Sequence, residues 1–370
     1  MSYNILVKTL FSKGDSIMKK LNMAIIGYGG MGSWHGKHLV KSDVVNLCGI
    51  YDIKESRRIF AEENGIHAYS SLEELLADKN VEAVTIATPN DMHKPLAIEA
   101  MKAGKHVISE KPVTLSSEDL QEIFDASEKY GRIFTTHQNR RWDCDYLIMK
   151  DLYASGKLGN VFSIESRYHG SRGIPGDWRG IKKYGGGMLF DWGVHLIDQM
   201  VGIAYDRRIE KIYCRFDHIT NDEVDDGFKL DLYFEGGLTA RIEVGTSNFI
   251  SLPRFYMLGM SGSAIINGWK DDCTVITCDE WYEENVVPVV TAAGLTKTMA
   301  PRDAKTTTTS IIPRPESDVH DFYRNFCAAV RGEADIIVTH PQLMRVLRII
   351  EAAFESDRLG AVVDFDDKIV

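Results

Sequence analysis

Residues 23–32, MAIIGYGGMG, constrain this chain more than any other segment. A short apolar run leads into Gly27, Gly29 and Gly32, and SWHGKHLVKS then reads as a helix that starts at those glycines. Each glycine has its own task in such a strand–turn–helix unit. The first makes the tight turn, the second lets the backbone approach a pyrophosphate, and the third allows helix and strand to pack closely, while the free amides of the helix start face the anion. Twenty residues beyond Gly32, Asp52 ends the next apolar run, LCGIYD. A carboxylate at that point accepts hydrogen bonds from a ribose 2′-hydroxyl and repels a 2′-phosphate. The segment predicts a dinucleotide-binding unit that takes NAD in preference to NADP. A glycine-rich turn in some other α/β protein is the plainer alternative.

The remaining composition narrows the class. A chain of 370 residues exceeds what one core usually supports, so two domains are expected. The formal net charge of -10, with basic pairs scattered, leaves no stripe to neutralise phosphates, which argues against a nucleic-acid partner. No apolar run reaches the length of a membrane span, and the first residues, MSYNILVKTLFSKGDS, lack the apolar core and cleavage site of a secretory signal. Residues 1–20 read as an N-terminal extension, with Met18 as a natural start, and deletion of residues 1–17 is expected to leave activity intact. Cysteines 48, 144, 214, 273, 278 and 327 show no metal-ligand spacing. Cys273 and Cys278 would face opposite sides of one strand. Reduced thiols, no bound metal and a cytoplasmic location are the resulting expectations.

The pattern changes near residue 140. Over 21–140 the apolar runs MAIIG, VNLCGIYD, AVTIAT, HVISE and RIFTTHQ alternate with helical segments at about 31–41, 54–64, 71–78, 92–103 and 117–130. That alternation predicts a parallel sheet covered on both faces, with ligands at the carboxyl ends of its strands. Thr88-Pro89-Asn90, Glu110-Lys111-Pro112 and residues 137–141 fall at such ends and should form one rim of the cleft. Over 141–370 a helix precedes a series of alternating runs joined by hairpin signals, which predicts an open, largely antiparallel mixed sheet. One face of that sheet should carry helices; the other, fairly apolar, is a candidate subunit interface. Residues 289–315 read as a long loop or arm, followed by helices at about 316–332 and 341–357 and a short strand, AVVDF.

Three segments in order, MAIIGYGGMG, TPNDMHKPLAIEAMKAGKHVISEKP and GGGMLFDWGVHLID, resemble the Gfo/Idh/MocA family of oxidoreductases. The likeness runs from about residue 21 to the final strand. It implies an N-terminal Rossmann domain, a C-terminal α/β domain with an open mixed sheet, and dimers or tetramers assembled through that sheet. It also implies NAD(P)-dependent oxidation or reduction of a hydroxyl on a sugar, glycoside or cyclitol. The family pattern places a catalytic lysine in EKP and an acid and a histidine in DxGxH, here Lys111, Asp191 and His195.

The chemistry can be argued from the residues alone. Hydride removal from a secondary alcohol needs a base that touches the hydroxyl as the C–H bond breaks, and His195 suits that task. His195 follows Asp191 by one helical turn, so both side chains are expected on one face, with Asp191 orienting the imidazole or binding a neighbouring hydroxyl. Lys111, held extended before Pro112, would polarise the reacting oxygen. The glycines at 185–187 would let substrate or cofactor approach the backbone. Around these, Gly27, Gly29, Gly30, Met31, Gly32 and Asp52 form the expected phosphate and ribose side. Thr88, Pro89, Asn90, His93, Glu110 and Lys111 form the nicotinamide side. Asn139, Arg140, Arg141, Tyr168, Trp178 and Arg179 are candidate substrate contacts, with Arg140 or Arg141 alternatively bracing the hinge. His137 is open between core and rim. Each has a plainer reading: a core histidine, a capping acid, a packing tryptophan, a solvated lysine.

With no basic cluster demanding a phosphorylated sugar, a neutral ring is favoured. A glycoside oxidised at a ring hydroxyl, C3 for preference, stands beside inositols and free aldoses. An NAD-responsive regulator without catalysis, or a glycosidase that uses NAD transiently, are the other readings.

Overall fold

The computed structural model describes residues 19–278, 287–296, 298, 300 and 302–368; the readings placed on residues 1–18 lie outside them. Five apolar runs form a parallel sheet: β1 (Leu21–Ile26), β2 (Val45–Tyr51), β3 (Ala83–Ile86), β4 (His106–Ser109) and β5 (Phe134–Thr136), in the order β2-β1-β3-β4-β5. Helices α1 (Gly30–Leu39), α2 (Glu55–Glu63), α3 (Leu72–Ala77), α4 (His93–Lys102) and α5 (Ser117–Tyr130) connect them. All four residues of β3 are buried, which is why these runs read as continuous apolar stretches without alternation. Strand order reverses between β1 and β3, so a crevice opens at their carboxyl ends, where the glycine loop lies.

After α6 (Cys144–Ser155) the chain builds a second sheet. Its strands are β6 (Val161–His169), β7 (Ile209–Asp217), β8 (Gly227–Phe234), β9 (Thr239–Gly245), β10 (Phe255–Gly259), β11 (Gly262–Ile266), β12 (Cys273–Thr277), β15 (Thr308–Ile312) and β16 (Val363–Asp364). The order is β15-β12-β11-β10-β6-β9-β8-β7-β16, with β6 and β9 parallel and the other neighbours antiparallel. Phe228, Leu230 and Leu232 on β8 and Ile242 and Val244 on β9 face inward, buried beneath helix α7 (Val194–Ile203).

Two expectations change. Residues 289–315 are not simply a loop: β13 (Val289–Thr291) and β14 (Gly294–Thr296) form a small hairpin, and β15 pairs with β12 at the sheet edge. Strands of three exposed residues are too short to print an alternation on the sequence. The outer face of the large sheet is also less apolar than expected. Its centre carries ion pairs, Arg241 on Asp231 and Arg167 on Glu243, and aliphatic side chains such as Ile276 and Ile311 gather near the β12–β15 edge.

The last helices are α8 (Asp321–Val330), which starts five residues later than the predicted 316, and α9 (His340–Leu359). The α9 start is fixed by a capping box between Thr339 and Gln342 with a proline in the first turn. Both helices return to the first sheet. Thr135 donates to the Val338 carbonyl (3.0 Å), the Glu351 carboxylate accepts from the Ser117 amide (2.6 Å), and the rings of Phe124 and His340 stack at 4.0 Å. Among the described residues, no helix is long and apolar enough to cross a membrane.

Candidate active site

A cleft of about 660 Å³ lies at the carboxyl edge of the parallel sheet, lined on one side by Gly29, Gly30, Met31, Thr88, Pro89, Asn90 and Lys111 and on the other by Trp178, Arg179 and Tyr184. The three motif glycines are required for different physical reasons. Gly27 sits at φ +90, and a Cβ there would lie 2.6 Å from the Ala87 carbonyl oxygen; at Gly32 a Cβ would fall 1.9 Å from the Gly27 carbonyl oxygen. Gly29 and Gly30 have nothing within 4 Å of an added Cβ, so their backbone faces open space at the cleft. The first amide of this turn to meet a helical carbonyl is that of Ser33, on Gly29 (3.0 Å), and no side chain caps the α1 start. Buried Thr88 Oγ1 has no partner and lies in the cleft wall. A dinucleotide fits these features: free amides at a helix start for the pyrophosphate, and an orphan hydroxyl beside it.

Asp52, one residue past β2, accepts from the Tyr28 amide through Oδ2 (2.6 Å) and from the Lys54 amide through Oδ1 (2.8 Å). Arg58 Nη1 donates to the Asp52 backbone carbonyl at 2.7 Å, which holds a guanidinium against the end of β2.

Lys111 bridges the two halves of the molecule. Its Nζ donates to the Asp191 carboxylate (2.9 Å) and to the Asp191 carbonyl (2.8 Å). An ammonium has three N–H groups, so one remains for a ligand. Asp191 lies in a π-helical turn, Leu189–Gly193, that leads directly into α7. Its second oxygen accepts from Arg179 Nε (2.9 Å), and Arg179 is itself held by Asp177 (2.8 Å). Burial pushes the Asp191 carboxyl up, but Lys111 and Arg179 outweigh it and leave the group below the ordinary aspartate value.

His195, 5 % exposed, does not pair with Asp191. Its Nδ1 lies 3.1 Å from Gln138 Oε1, and its Nε2 makes no hydrogen bond among the described residues. With Nδ1–H donating to Gln138, the lone pair stands on Nε2. Burial, then the charges of Lys111 and Arg140, hold this imidazole well below the usual histidine pKa, so it is neutral near pH 7. The expected orienting role thus falls to Gln138, because both Asp191 oxygens are taken by cations. Gln138 was not singled out by sequence; its only signal is its place just past a strand end, before NRRW.

The other candidates separate. Asn90 crosses the cleft to the Tyr184 carbonyl (3.0 Å). His93 also touches the cleft, but its ring nitrogens lie 2.9 Å from the Pro112 carbonyl and 3.0 Å from that of Thr88, so it ties two loops together instead of reaching outward. Glu110 lines the cleft as expected, but its oxygens already have partners within the protein: Oε1 accepts from His35 (2.8 Å) and His137 (2.9 Å), and Oε2 from the Lys111 amide (3.2 Å). Burial raises this carboxyl and the two imidazoles bring it well below its ordinary value. His35, Glu110 and His137 have ligand atoms close enough to surround a metal ion, yet their separations are those of hydrogen bonds, shorter than the roughly 3.3 Å between neighbouring ligands on a tetrahedral ion. His137 is thus core, not rim.

Asn139 and Arg140 begin the 3-10 turn Asn139–Trp142, where the Arg140 guanidinium lies between Trp192 (4.4 Å) and Trp269 (5.1 Å). Tyr168 stacks on Trp192 at 3.6 Å and meets Trp269 edge-on at 5.3 Å. Arg141 points away from the cleft and grips Asp198 through Nε (2.7 Å) and Nη2 (2.6 Å), so of its two expected roles its bonds perform the bracing one. The 185–187 glycines serve the protein's own packing: a Cβ on Gly186 would lie 2.3 Å from the Arg179 carbonyl oxygen, and one on Gly187 2.1 Å from Asp225 Oδ1.

Family models match two stretches of the chain: residues 21–138 match the NAD-binding Rossmann-fold model of the GFO/IDH/MocA oxidoreductases, and residues 146–265 match a C-terminal domain model of the same group. The chain belongs to the Gfo/Idh/MocA oxidoreductase family. Like other members of this family it is an NAD(P)-binding oxidoreductase with a Rossmann sheet and a mixed C-terminal sheet. It is 30% identical over 356 residues to the scyllo-inositol 2-dehydrogenase (NADP(+)) IolW of Bacillus subtilis, covering 94% of this chain and 96% of that protein. It is 25% identical over 268 residues to a myo-inositol 2-dehydrogenase of Thermotoga maritima, covering 70% of this chain and 79% of that one. The solved structure of an NAD-binding protein from Listeria innocua superposes with a TM-score of 0.89 at 43% identity, covering 94% of this chain and all of that chain.

Proposed function

We propose that this protein is an NAD-dependent dehydrogenase that oxidises a ring hydroxyl of a cyclitol, sugar or glycoside. The observation that carries the reading is His195: its Nδ1 is fixed by Gln138 and its Nε2 lone pair is unbonded. On the other half of the molecule Lys111 keeps one ammonium N–H to spare. When bound, the nicotinamide supplies the hydride acceptor. The protein's own work is then proton and charge management. His195 Nε2 takes the hydroxyl proton, and the imidazolium that forms stays hydrogen-bonded to Gln138. Lys111 steadies the oxygen as it gains alkoxide character, and Asp191 holds the Lys111 ammonium in place. Gly29, Gly30 and the α1 start would hold the pyrophosphate, and Asp52 the adenosine ribose.

Two readings of substrate are favoured by separate observations. The relatives named as inositol dehydrogenases favour a cyclitol. The aromatic wall of Trp178 and Tyr184 in the cleft leaves room for the aglycone of a glycoside oxidised at C3. A regulator that only senses NAD would not need a poised base facing a cation. The deciding experiment is a panel of inositols, aldoses and glycosides with NAD and NADP, read as NADH or NADPH absorbance with product analysis. His195→Ala and Lys111→Ala should each lower turnover by roughly 100-fold or more while leaving dinucleotide affinity near normal. Near-normal turnover in either folded variant rejects the assignment. Asp52 predicts NAD as the better cofactor, and Asp52→Ala should shift preference toward NADP because Arg58 is already alongside. Six free cysteines accord with a reducing compartment such as the cytoplasm, and the large sheet's outer face is where self-association would occur.

A further inference from the structure

Next to His195, and outside the lining of the cofactor cleft, the large sheet carries an aromatic group assembled from three separate segments. Strand register brings them together. Ser166 of β6 lies opposite Phe255 of β10, and Phe255 opposite Ile266 of β11, with both pairings antiparallel. The turn between β11 and β12 therefore reaches the carboxyl end of β6, beside Tyr168. That turn presents Trp269, whose ring centre lies 5.3 Å from Tyr168 and 6.1 Å from Trp192. Trp192 stands 6.3 Å from the His195 ring, while Trp269 makes no ring contact with His195 among the described residues. We propose that Trp269 is a specificity-determining residue that packs against the second ring of a glycoside, whose first ring brings its reacting hydroxyl to His195. The inference rests on the dehydrogenase reading above and selects the glycoside between its two substrates.

The ring of Trp192 is already engaged, by Tyr168 stacked at 3.6 Å and by the Arg140 guanidinium at 4.4 Å. Trp269 stays partly exposed and is supported from the buried side. Arg254, 3 % exposed, lies 4.7 Å from its ring and is itself fixed by Gln199 Oε1 (2.8 Å), by Asp145 (3.0 Å) and by Ser166. The turn is pinned as well. The Arg254 amide donates to the Asn267 carbonyl (3.2 Å) and the Asp271 amide to that of Gly268 (3.1 Å). A flat apolar surface held in this way suits the C–H face of a sugar ring or an aromatic aglycone, because little is left to order on binding. Arg140 supplies the polar complement. Its Nη1 donates to Asp143 (3.1 Å), while Nε and Nη2 make no hydrogen bond among the described residues, so they can donate to ring hydroxyls beside the two indoles. A cyclitol has no second ring to cover this surface.

The test compares single-ring and glycosidic ligands on the full chain. NADH-loaded protein is titrated by calorimetry, and NAD reduction is followed in parallel, with myo-inositol and glucose set against phenyl β-glucoside, salicin and cellobiose. At least one glycoside should bind. Trp269→Ala should weaken it roughly ten-fold, through KM and not kcat where it is oxidised, while the single-ring ligands change by less than about two-fold. Trp269→Phe, which keeps a flat ring, should recover most of the affinity. Trp269→Leu, which fills the turn without one, should bind as weakly as the alanine variant and decides the matter if that variant does not fold. A glycoside that binds, is lost in Trp269→Ala and is never oxidised keeps the site and rejects the dehydrogenase reading. No glycoside binding at millimolar concentration, unchanged glycoside affinity in Trp269→Ala, or equal loss for both kinds of ligand overturns the inference; inositol oxidation would then leave the dehydrogenase reading standing.

Discussion

At the scale of single residues, the proposed chemistry turns on whether His195 is neutral and which of its ring nitrogens carries the hydrogen. Burial, Lys111 and Arg140 all disfavour the imidazolium, so the basic form persists below the ordinary histidine pKa. The sign is clear: a base active when neutral loses activity only as pH falls through its folded pKa, here displaced to the acid side. kcat/KM is expected to stay level on lowering pH through about 6.5 and to drop only further down. Removing one of the two cations should move that limb upward; in Arg140→Gln the acid limb measured in kcat/KM should shift toward neutrality, and an unmoved limb refutes the electrostatic account. Gln138→Leu should cost roughly ten- to hundred-fold in kcat with KM little changed, because the ring loses the acceptor that selects its tautomer. Of these residues, Lys111, Asp191 and His195 were legible from motif order. Gln138 and Arg179's grip on Asp191 were not, since each depends on a meeting between segments that are distant or irregular in sequence.

At the scale of elements, the glycine turn separates packing from binding. Gly32→Ala drives a Cβ into the Gly27 carbonyl and should abolish the fold of the βα unit. Gly29→Ala meets nothing in the protein, so it should leave Tm unchanged and weaken NAD, as measured by fluorescence titration. Beneath the π-helical turn, Asp225 accepts from the Leu189 amide (2.8 Å), and burial lifts its carboxyl from 3.8 to about 8. A carboxyl whose folded pKa is raised binds more protons folded than unfolded between those values, so stability falls as pH rises across that window. Asp225→Asn keeps the acceptor and removes the titration; its Tm should vary less between about pH 5 and about pH 8 than that of the wild type. The parallel strands were readable because burial on both faces leaves uniform apolar runs. β13 to β15 were not, being brief, exposed and partly polar. The outward ion pairs of the large sheet were written in ARIEV and LDLYF, where period-two alternation puts Arg241, Glu243 and Asp231 on one face.

At the scale of the whole molecule, the two sheets are joined by more than a hinge. The Lys111–Asp191 pair spans the cleft, and the buried cluster of Glu110, His35, His137 and Tyr323 links the cofactor helix α1 to α8 near the far end of the chain. A fragment ending at residue 315 should therefore unfold at lower urea concentration than the full chain, monitored by circular dichroism; equal midpoints would show that α8 and α9 add nothing to the first sheet. The passage from the parallel sheet to the mixed one, between β5 and β6, was visible in the sequence as a change of pattern. The return of the C-terminal helices was not, because an amphipathic helix does not say which sheet it will cover. That return sets a timetable for biosynthesis. During translation the first half leaves the ribosome with the surfaces around Phe124 and Thr135 bare, and only the final helices seal them. Cofactor capture, which needs α1 seated, should then be among the last events in the protein's making.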